Sequence, residues 1–458
     1  MDRPTPASPT DHGRARAGGR FTLRAWGVSQ GVRLAGFAAS RLAVEAAGRG
    51  GDLLASAERR ARRRSRRRQA AALRLARLLG DLKGPFAKAG QFASLRVDVL
   101  EPEVREAFLT LQDRVPPLPL AAVAGVIESE LGAPLASLFA HFEPTPIGAA
   151  SVAQVHRARL HDGQEVAVKV QYPWLARSLP ADLAWARRLL RWLGGRTPDR
   201  ERLFAEFAAG LAEELDFLHE ADVAEEIAAN LAGEPQVVVP RVHRSLSSRR
   251  VLTVDWRPVI PIGDRAALEA RGVPLRDVVA VLGRAYAKQV FVDGLFHADP
   301  HPGNLFVIDE PDASVRPRVL FVDFGLSKRL DPGLRREMRL GVHALLRQDV
   351  PAFLDGMERV GMIAPGARAG VQRAVEEMFA RIRSEGAPLG LGGGQVLALK
   401  DEAKRLLSET PGLQLPAELL LWAKTLSYLF ALGARLDPDA DLMRTTVPYL
   451  LRWLAERD

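Results

Sequence analysis

Apolar positions along this chain change period twice. Residues 21–58 mix apolar and Arg positions as an amphipathic helix does, and residues 70–113 place Leu73, Leu75, Leu78 and Leu79 at helical spacing. The Pro-rich turn Val115-Pro116-Pro117-Leu118-Pro119 closes that stretch. Short runs of β type follow at Ser151–Leu160, Glu165–Gln171 and Val251–Val254. Helical spacing returns from about Pro274, interrupted by two short apolar runs, Asn304–Ile308 and Val319–Asp323. Gly386–Gly394 reads as a loop, and the last 45 residues read as helical packing. No internal repeat is visible. The pattern predicts an α+β chain in four parts: a basic segment over 1–70, a helical extension over 71–135, a small β-rich lobe with an inserted helix over 136–257, and a larger helical lobe over 258–458.

Hydrophobic residues make up 47% of the chain and charged residues 26%, the balance of a folded protein with a large core. Residues 1–20, rich in Pro, Gly, Arg and Ala, are the exception and read as disordered. The formal charge of +9 is localised. Residues 1–70 hold 16 of the 64 basic and 5 of the 55 acidic residues, a net of +11, and the other 388 hold 48 and 50, a net of −2. Eight of the ten residues 59–68 are Arg. Such a run fits a solvated helix face equally with a contact to anionic lipid, where each basic residue contributes about 1 kcal/mol. Nucleic acid is a weaker third reading, because the body holds no nucleic-acid module.

The absence of Cys excludes disulfides, thiolate chemistry and Cys-based zinc sites. Met1-Asp2-Arg3-Pro4 leads into no apolar signal core. No run reaches the roughly 18 apolar residues of a spanning helix; the nearest, Leu419–Leu432, is interrupted by Lys424. The expectation is a soluble or peripheral protein, cytoplasmic or at the inner membrane face.

The candidate chemistry begins at Asp323-Phe324-Gly325, which ends the apolar run Val319–Val322. An Asp at a strand end before Gly either caps a turn or holds a divalent metal, and the triplet alone does not decide. Upstream, His297-Ala298-Asp299-Pro300-His301-Pro302-Gly303-Asn304 is a turn-rich loop with Asp299 and Asn304 five apart. Phosphoryl transfer uses a carboxylate to orient the nucleophile and an amide oxygen to help hold magnesium at this spacing. The two His could instead belong to a zinc site, but no helix aligns them and no Cys assists.

In Val166-Ala167-Val168-Lys169-Val170 a lysine interrupts a β-branched run. It is either an outward-facing strand lysine or one paired with phosphate and a carboxylate. Candidate carboxylates stand in Glu213-Glu214-Leu215-Asp216-Phe217-Leu218-His219-Glu220, where i, i+3, i+7 spacing predicts Glu213, Asp216 and Glu220 on one helical face with Glu214 beside it. Before the lysine strand, Gly148-Ala149-Ala150-Ser151-Val152 is rich in small residues and suits a phosphate-covering loop, stiffer than a glycine loop because Ala does not offer positive φ freely. The order loop, Lys, Glu, Asp/Asn loop, Asp-Phe-Gly is that of a kinase.

With those residues in hand, the chain resembles the UbiB/aarF-domain family of atypical protein-kinase-like proteins from about residue 75 to 455. Lys88-Ala89-Gly90-Gln91 matches its K-x-G-Q signature, followed by Ser94, Arg96, Asp98 and Leu111-Gln112-Asp113; Glu214-Leu215-Asp216 matches its E-x-D signature; the Ala-rich loop is a further trait. The resemblance implies a two-lobed kinase-like fold with a helical K-x-G-Q extension, ATP and Mg2+ as cofactors, and ATPase or small-molecule kinase activity. It implies that Lys169 contacts ATP phosphates and pairs with Glu220, that Asp323 and Asn304 hold magnesium, that Asp299 is the catalytic-loop aspartate, and that Lys88 pairs with Glu214. Gly148, Ala149, Ala150 and Ser151 would line the nucleotide. Asp255 would do so from the hinge, where Val254-Asp255-Trp256 departs from the family's Met-Glu-Trp type. Gly148, Val223 and Val259 are further departures. The implied partners are anionic or prenyl lipids and lipid-biosynthesis proteins, in ubiquinone or other isoprenoid-lipid metabolism. A conventional protein kinase is the alternative, although no Ala-Pro-Glu follows Asp323; a nucleotide-gated scaffold without catalysis is another.

Overall fold

The computed structural model describes residues 117–194, 198–310, 314–384, 410–440 and 442–456, with isolated positions before 117. The helices expected over 21–58 and 70–113, the Arg run, Lys88 and the loop Gly386–Gly394 lie outside the described residues. The chain divides into Met1–Arg62 and Arg63–Asp458, and every element below belongs to the second unit.

The strands are β1 (His141–Phe142), β2 (Gly148–Ala149), β3 (Ala153–Arg159), β4 (Glu165–Gln171), β5 (Val237–Val238), β6 (Val251–Asp255), β7 (Val259–Pro261), β8 (Leu295–Phe296), β9 (Leu305–Ile308), β10 (Val319–Phe321) and β11 (Lys328–Arg329). The helices used below are α1 (Leu120–Leu131), α2 (Leu175–Gly194), α3 (Pro198–Glu214), α4 (Phe217–Asn230), α5 (Leu275–Ala287), α6 (Pro332–Leu346), α7 (Val350–Arg359), α8 (Arg368–Ser384), α9 (Ala417–Leu436) and α10 (Leu442–Leu454).

An antiparallel sheet runs β1-β3-β4-β6, with β2 also on β3. Its central strand explains its stability. In β4 the pleat sends Val166, Val168 and Val170 to one face, where all three are fully buried with Val123, Val126 and Ile127 of α1. Each such valine contributes about 1.5–3 kcal/mol. The same pleat sends Ala167 and Lys169 to the other face, toward the helical lobe. The β3–β4 turn is closed by Gly163 at φ 90, donating its N–H to Leu160 O, a conformation in which a Cβ would clash with backbone.

A second sheet, β5-β10-β9-β7, lies in the helical lobe. Its β9–β10 hairpin pairs Phe321 with Leu305. Beyond that pair Val322 donates its N–H to Asn304 O at 3.0 Å, so the Asp/Asn loop and the Asp-Phe-Gly triplet emerge side by side. β8 and β11 pair antiparallel. Behind them α5 packs on α9 and α10 in a core that includes Val279, Leu282, Leu429, Leu432 and Leu442, continuous with Val152, Tyr172 and Leu252 of the small lobe.

By length and composition one helix among the described residues, Glu418–Leu436 within α9, could cross a membrane. Its Leu429, Leu432 and Leu436 belong to this core. The single helix expected across Glu213–Glu220 is not observed. The chain breaks at Leu215-Asp216, where Asp216 leaves helical geometry (φ −105, ψ 95) and caps α4 by accepting from Leu218 N. Glu213 and Glu220 therefore stand on different helices.

The approach of α5 to α10 at Gly283 tests this packing. A Cβ on Gly283 of α5 would lie 2.2 Å from Thr445 Oγ1 and 3.2 Å from Leu442 Cδ2. Gly283→Val is expected to cost about 1–3 kcal/mol through overpacking, read as a lowered urea midpoint at unchanged slope.

Candidate functional site

Lys169 lies on the cleft face of β4, and its ammonium meets carboxylates from two other elements. Lys169 Nζ donates to Glu220 Oε1 and Oε2, both at 2.9 Å, and to Asp323 Oδ1 at 2.8 Å. Glu220 comes from the first turns of α4, and only 3% of its side chain is exposed. Phe217, in the same turn, puts its ring 5.0 Å from the ammonium. Three contacts from two residues hold α4 in place: Phe217 N donates to Arg249 O at 3.1 Å, Arg249 pairs with Asp216, and Gln171 Nε2, two residues past Lys169, donates to Leu215 O. The E-x-D turn is thus hung from the strand that carries the lysine.

Carboxylates crowd this point. A Cβ at Gly325 would contact Glu220 Oε2, Asp323 Oδ1 and Glu214 Cγ at 3.6, 3.7 and 3.8 Å, so Glu214 belongs to the same cluster. Its implied partner, Lys88, lies outside the described residues. Burial pushes Glu220 up to about 7 against the pull of the Lys169 ammonium, and the charges of Asp323 and Glu214 add to the push. Burial alone would lower the pKa of Lys169, but Asp323 and Glu220 outweigh it and hold the ammonium well above its ordinary range. Lys169 therefore stays charged, and the ion pair keeps Glu220 in place at a desolvation cost.

Asp323 has φ 62 and ψ 73, a left-handed conformation that Asp tolerates better than most residues. Strain at a strand end beside a charge cluster is typical of functional positions. Asn304 donates from Nδ2 to Asp299 O at 3.2 Å, which leaves its carbonyl Oδ1 for a cation. Asp323 and Asn304 make an oxygen-only donor set that fits Mg2+. Among the described residues no three His, Cys, Asp or Glu side chains converge as a metal cage. A magnesium ion here would complete its shell from phosphate and water.

The loop around Asp299 rests on buried groups. His297 Nε2 is 3.0 Å from Val322 O, and its Nδ1 accepts from Asp299 N at 3.3 Å and faces Tyr286 Oη at 3.4 Å. Both ring nitrogens are spent on backbone and hydroxyl, so His297 is a structural residue and not a zinc ligand. Tyr286 stays a hydroxyl, because burial, and after it the Asp299 carboxylate, hold its pKa well above the ordinary value. His297 N donates in turn to Gln289 Oε1 at 2.9 Å; Gln289 sits in a π-helical turn, Lys288–Asp293. Helix α9 supplies two more groups: Lys424 Nζ lies 3.0 Å from Asp299 Oδ1, and Thr425 Oγ1 donates to Ala298 O at 3.1 Å.

The loop Gly148–Ser151 needs no glycine conformation. Gly148 has ordinary φ, and a Cβ there meets nothing within 4 Å. Ala150 N donates to Ala153 O, and the buried Tyr172 hydroxyl donates to Ala150 O at 3.1 Å. Tyr172 is itself stacked on Trp174 at 4.9 Å.

The Asp255 side chain does not face the cleft. Its register partner is Val166, so its side chain points to the sheet face away from Lys169. There it accepts from Gln164 Nε2 at 2.7 Å and pairs with His243 at 2.8 Å. The alternation of β6 decides this: Leu252 and Val254 share the face of Lys169 and Ala167, and Asp255 does not. Gln289, Tyr172, Lys424 and Thr425 were missed; the lysine inside the apolar stretch Leu419–Leu432 was the one available signal.

The sign of the Glu220 shift gives a test. An acid whose folded pKa is raised stabilises below its unfolded pKa and loses that contribution as pH rises through the folded value. Lys169→Met removes the opposing ammonium and raises Glu220 further. The variant is expected to be destabilised by about 3 kcal/mol near pH 8 and by less near pH 5. Urea unfolding at the two pH values checks this; equal losses would show that Glu220 is not the ionised partner.

The comparisons agree with this geometry. Residues 110–355 match the ABC1 atypical kinase-like domain. The chain is 33% identical over 395 residues to the probable protein kinase UbiB of Marinobacter nauticus (strain ATCC 700491 / DSM 11845 / VT8), covering 84% of this chain and 70% of that protein. It is 34% identical over 378 residues to the uncharacterized protein sll0095 of Synechocystis sp. (strain ATCC 27184 / PCC 6803 / Kazusa), covering 80% of this chain. It spans 65% of that relative's length and 63% of a second Synechocystis relative, the uncharacterized protein sll1770. Among solved structures, Rv3197 of Mycobacterium tuberculosis in complex with erythromycin is similar over 81% of this chain and 94% of that one, with 26% identity and a TM-score of 0.51. The chain belongs to the ABC1 atypical kinase-like family and is of the UbiB type.

Proposed function

We propose that this protein is a magnesium-dependent ATPase or small-molecule phosphotransferase, acting on or beside prenyl lipids, ubiquinone precursors among them, at a membrane surface. One observation carries the catalytic part. Lys169, Glu220 and Asp323, up to 154 residues apart in sequence, meet within hydrogen-bond distance, with Asn304 and Asp299 on the adjoining loop. Phosphoryl transfer needs little covalent chemistry from a protein and depends on placed charges. Lys169 would orient the ATP phosphates, with Glu220 fixing its direction. The backbone of Gly148–Ser151, braced by Tyr172, would cover them. Asp323 and Asn304 Oδ1 would hold a magnesium ion, whose charge offsets that of the phosphate oxygens. Asp299 would orient the acceptor.

The segment after Asp323 favours a small acceptor over a peptide. It enters β11 within five residues and α6 at Pro332. Lys328 pairs with Glu213 and Arg329 with Glu226, tying the segment to α3 and α4. The lipid part of the reading rests on the Arg run at 59–68, where each basic residue near an anionic surface contributes about 1 kcal/mol.

Asp323→Asn is expected to lower magnesium-dependent ATP hydrolysis by about 100-fold or more while keeping the wild-type melting temperature, since Asn also tolerates left-handed φ. Hydrolysis by both proteins, with and without anionic liposomes, is the measurement. Unchanged turnover in the variant sinks the metal assignment. Wild-type turnover indifferent to liposomes counts against the membrane part alone.

A further inference from the structure

The loop His297–Asn304 contains no Lys or Arg, yet Asp299 at its centre is paired. Its partner stands 125 residues further on: Lys424 Nζ, 3.0 Å from Asp299 Oδ1. The placement is rigid. Thr425, the next residue, is fully buried and bonds by its hydroxyl to Ala298 O at 3.1 Å and Leu421 O at 2.8 Å. Leu421 and Trp422 pack against Phe296, Ala298 and Leu330. Each residue of α9 from 421 to 425 that touches the loop thus fixes the backbone from which Lys424 reaches.

The pair remains open to solvent on one side, with 21% of Lys424 and 24% of Asp299 side-chain surface exposed. A partly exposed ion pair contributes only about 0–1 kcal/mol to stability. Asp299 does not need it for position, since the loop is already held through His297, Asn304 and Thr425. Among the described residues the other lysine of the site, Lys169, is engaged by Glu220 and Asp323. A transferred phosphoryl group spreads negative charge over its oxygens. Among the described residues, Lys424 is the cation that stands against the carboxylate of Asp299.

We propose that Lys424 is a further catalytic residue, whose ammonium contacts the transferred phosphoryl group beside Asp299. The inference rests on the phosphoryl-transfer reading of the site. In the step, the acceptor oxygen forms a bond to the γ-phosphorus as the bond to the β,γ-bridging oxygen breaks. ADP departs with that electron pair, and the acceptor proton passes to the Asp299 carboxylate. Lys424 keeps its protons and turns from Asp299 to a phosphoryl oxygen as Asp299 is neutralised. The ring of Tyr428, its centroid 5.5 Å from Nζ, favours the ammonium on this side of α9.

The test compares Lys424→Met and Lys424→Arg with wild type in the full-length chain. It reads ATP turnover, melting temperature, and calorimetric affinity for MgADP with and without aluminium fluoride, which mimics the phosphoryl group in transfer. For Lys424→Met, kcat is expected to fall about 100-fold with KM within about threefold. Aluminium fluoride should no longer tighten MgADP binding, the melting temperature should hold, and Lys424→Arg should recover part of both signals. Lys424→Met with wild-type kcat and wild-type response to aluminium fluoride overturns the inference and leaves the phosphoryl-transfer reading standing. So does a loss that follows the melting temperature and is not recovered by Lys424→Arg. A wild-type protein that neither turns over ATP nor binds MgADP more tightly with aluminium fluoride overturns both.

Discussion

The ammonium of Lys169 stands between a carboxylate on α4 and a carboxylate at the end of β10, and the site is arranged around that contact. A lysine on the cleft face of a strand and a glutamate buried to 3% exposure are each costly to desolvate alone. Together they fix the distance between the sheet and α4. Their cost is carried by the fully buried valines on the opposite face of the same strand and by the network that suspends the Glu214-Leu215-Asp216 turn. Asp323 enters the same contact only because β9 and β10 bring the two loops out together, with Val322 bonded to Asn304.

The acidic side of the site outweighs its described cations. Glu220 Oε2, Asp323 Oδ1 and Glu214 Cγ border Gly325, and Asp299 lies on the adjoining loop. Such a concentration of carboxylates, with oxygen as the donor throughout, suits a magnesium–nucleotide complex that brings its own cation. The glycine-free turn Ala150–Ala153 fits the same economy. Its shape is set by strand pairing and by the Tyr172 hydroxyl, so alanine suffices there without glycine.

Helix α9 has two aspects. Its composition is that of a membrane span by length and hydropathy, while its Leu429, Leu432 and Leu436 pack in the core and its one lysine points at Asp299. The lysine that interrupts the apolar run is thus accounted for by its pairing with Asp299. The same distinction applies at Asp255, where hinge position in sequence and side-chain direction in space part company.

By itself the sequence determined the β runs, the kinase order of Lys169, Glu220, Asp299, Asn304 and Asp323, and the family, because strand alternation and loop spacing are local properties written in consecutive residues. Only the tertiary structure decided which groups meet. The break at Asp216 depends on a cap bond that competes with helix continuation, so Glu213 was assigned to the wrong helix. The face of Asp255 depends on the register between β4 and β6, and a shift of one residue would reverse it. The supports Tyr172, Gln289 and Thr425 and the reach of Lys424 to Asp299 join residues far apart in sequence, through hydrogen bonds and packing that no local pattern records.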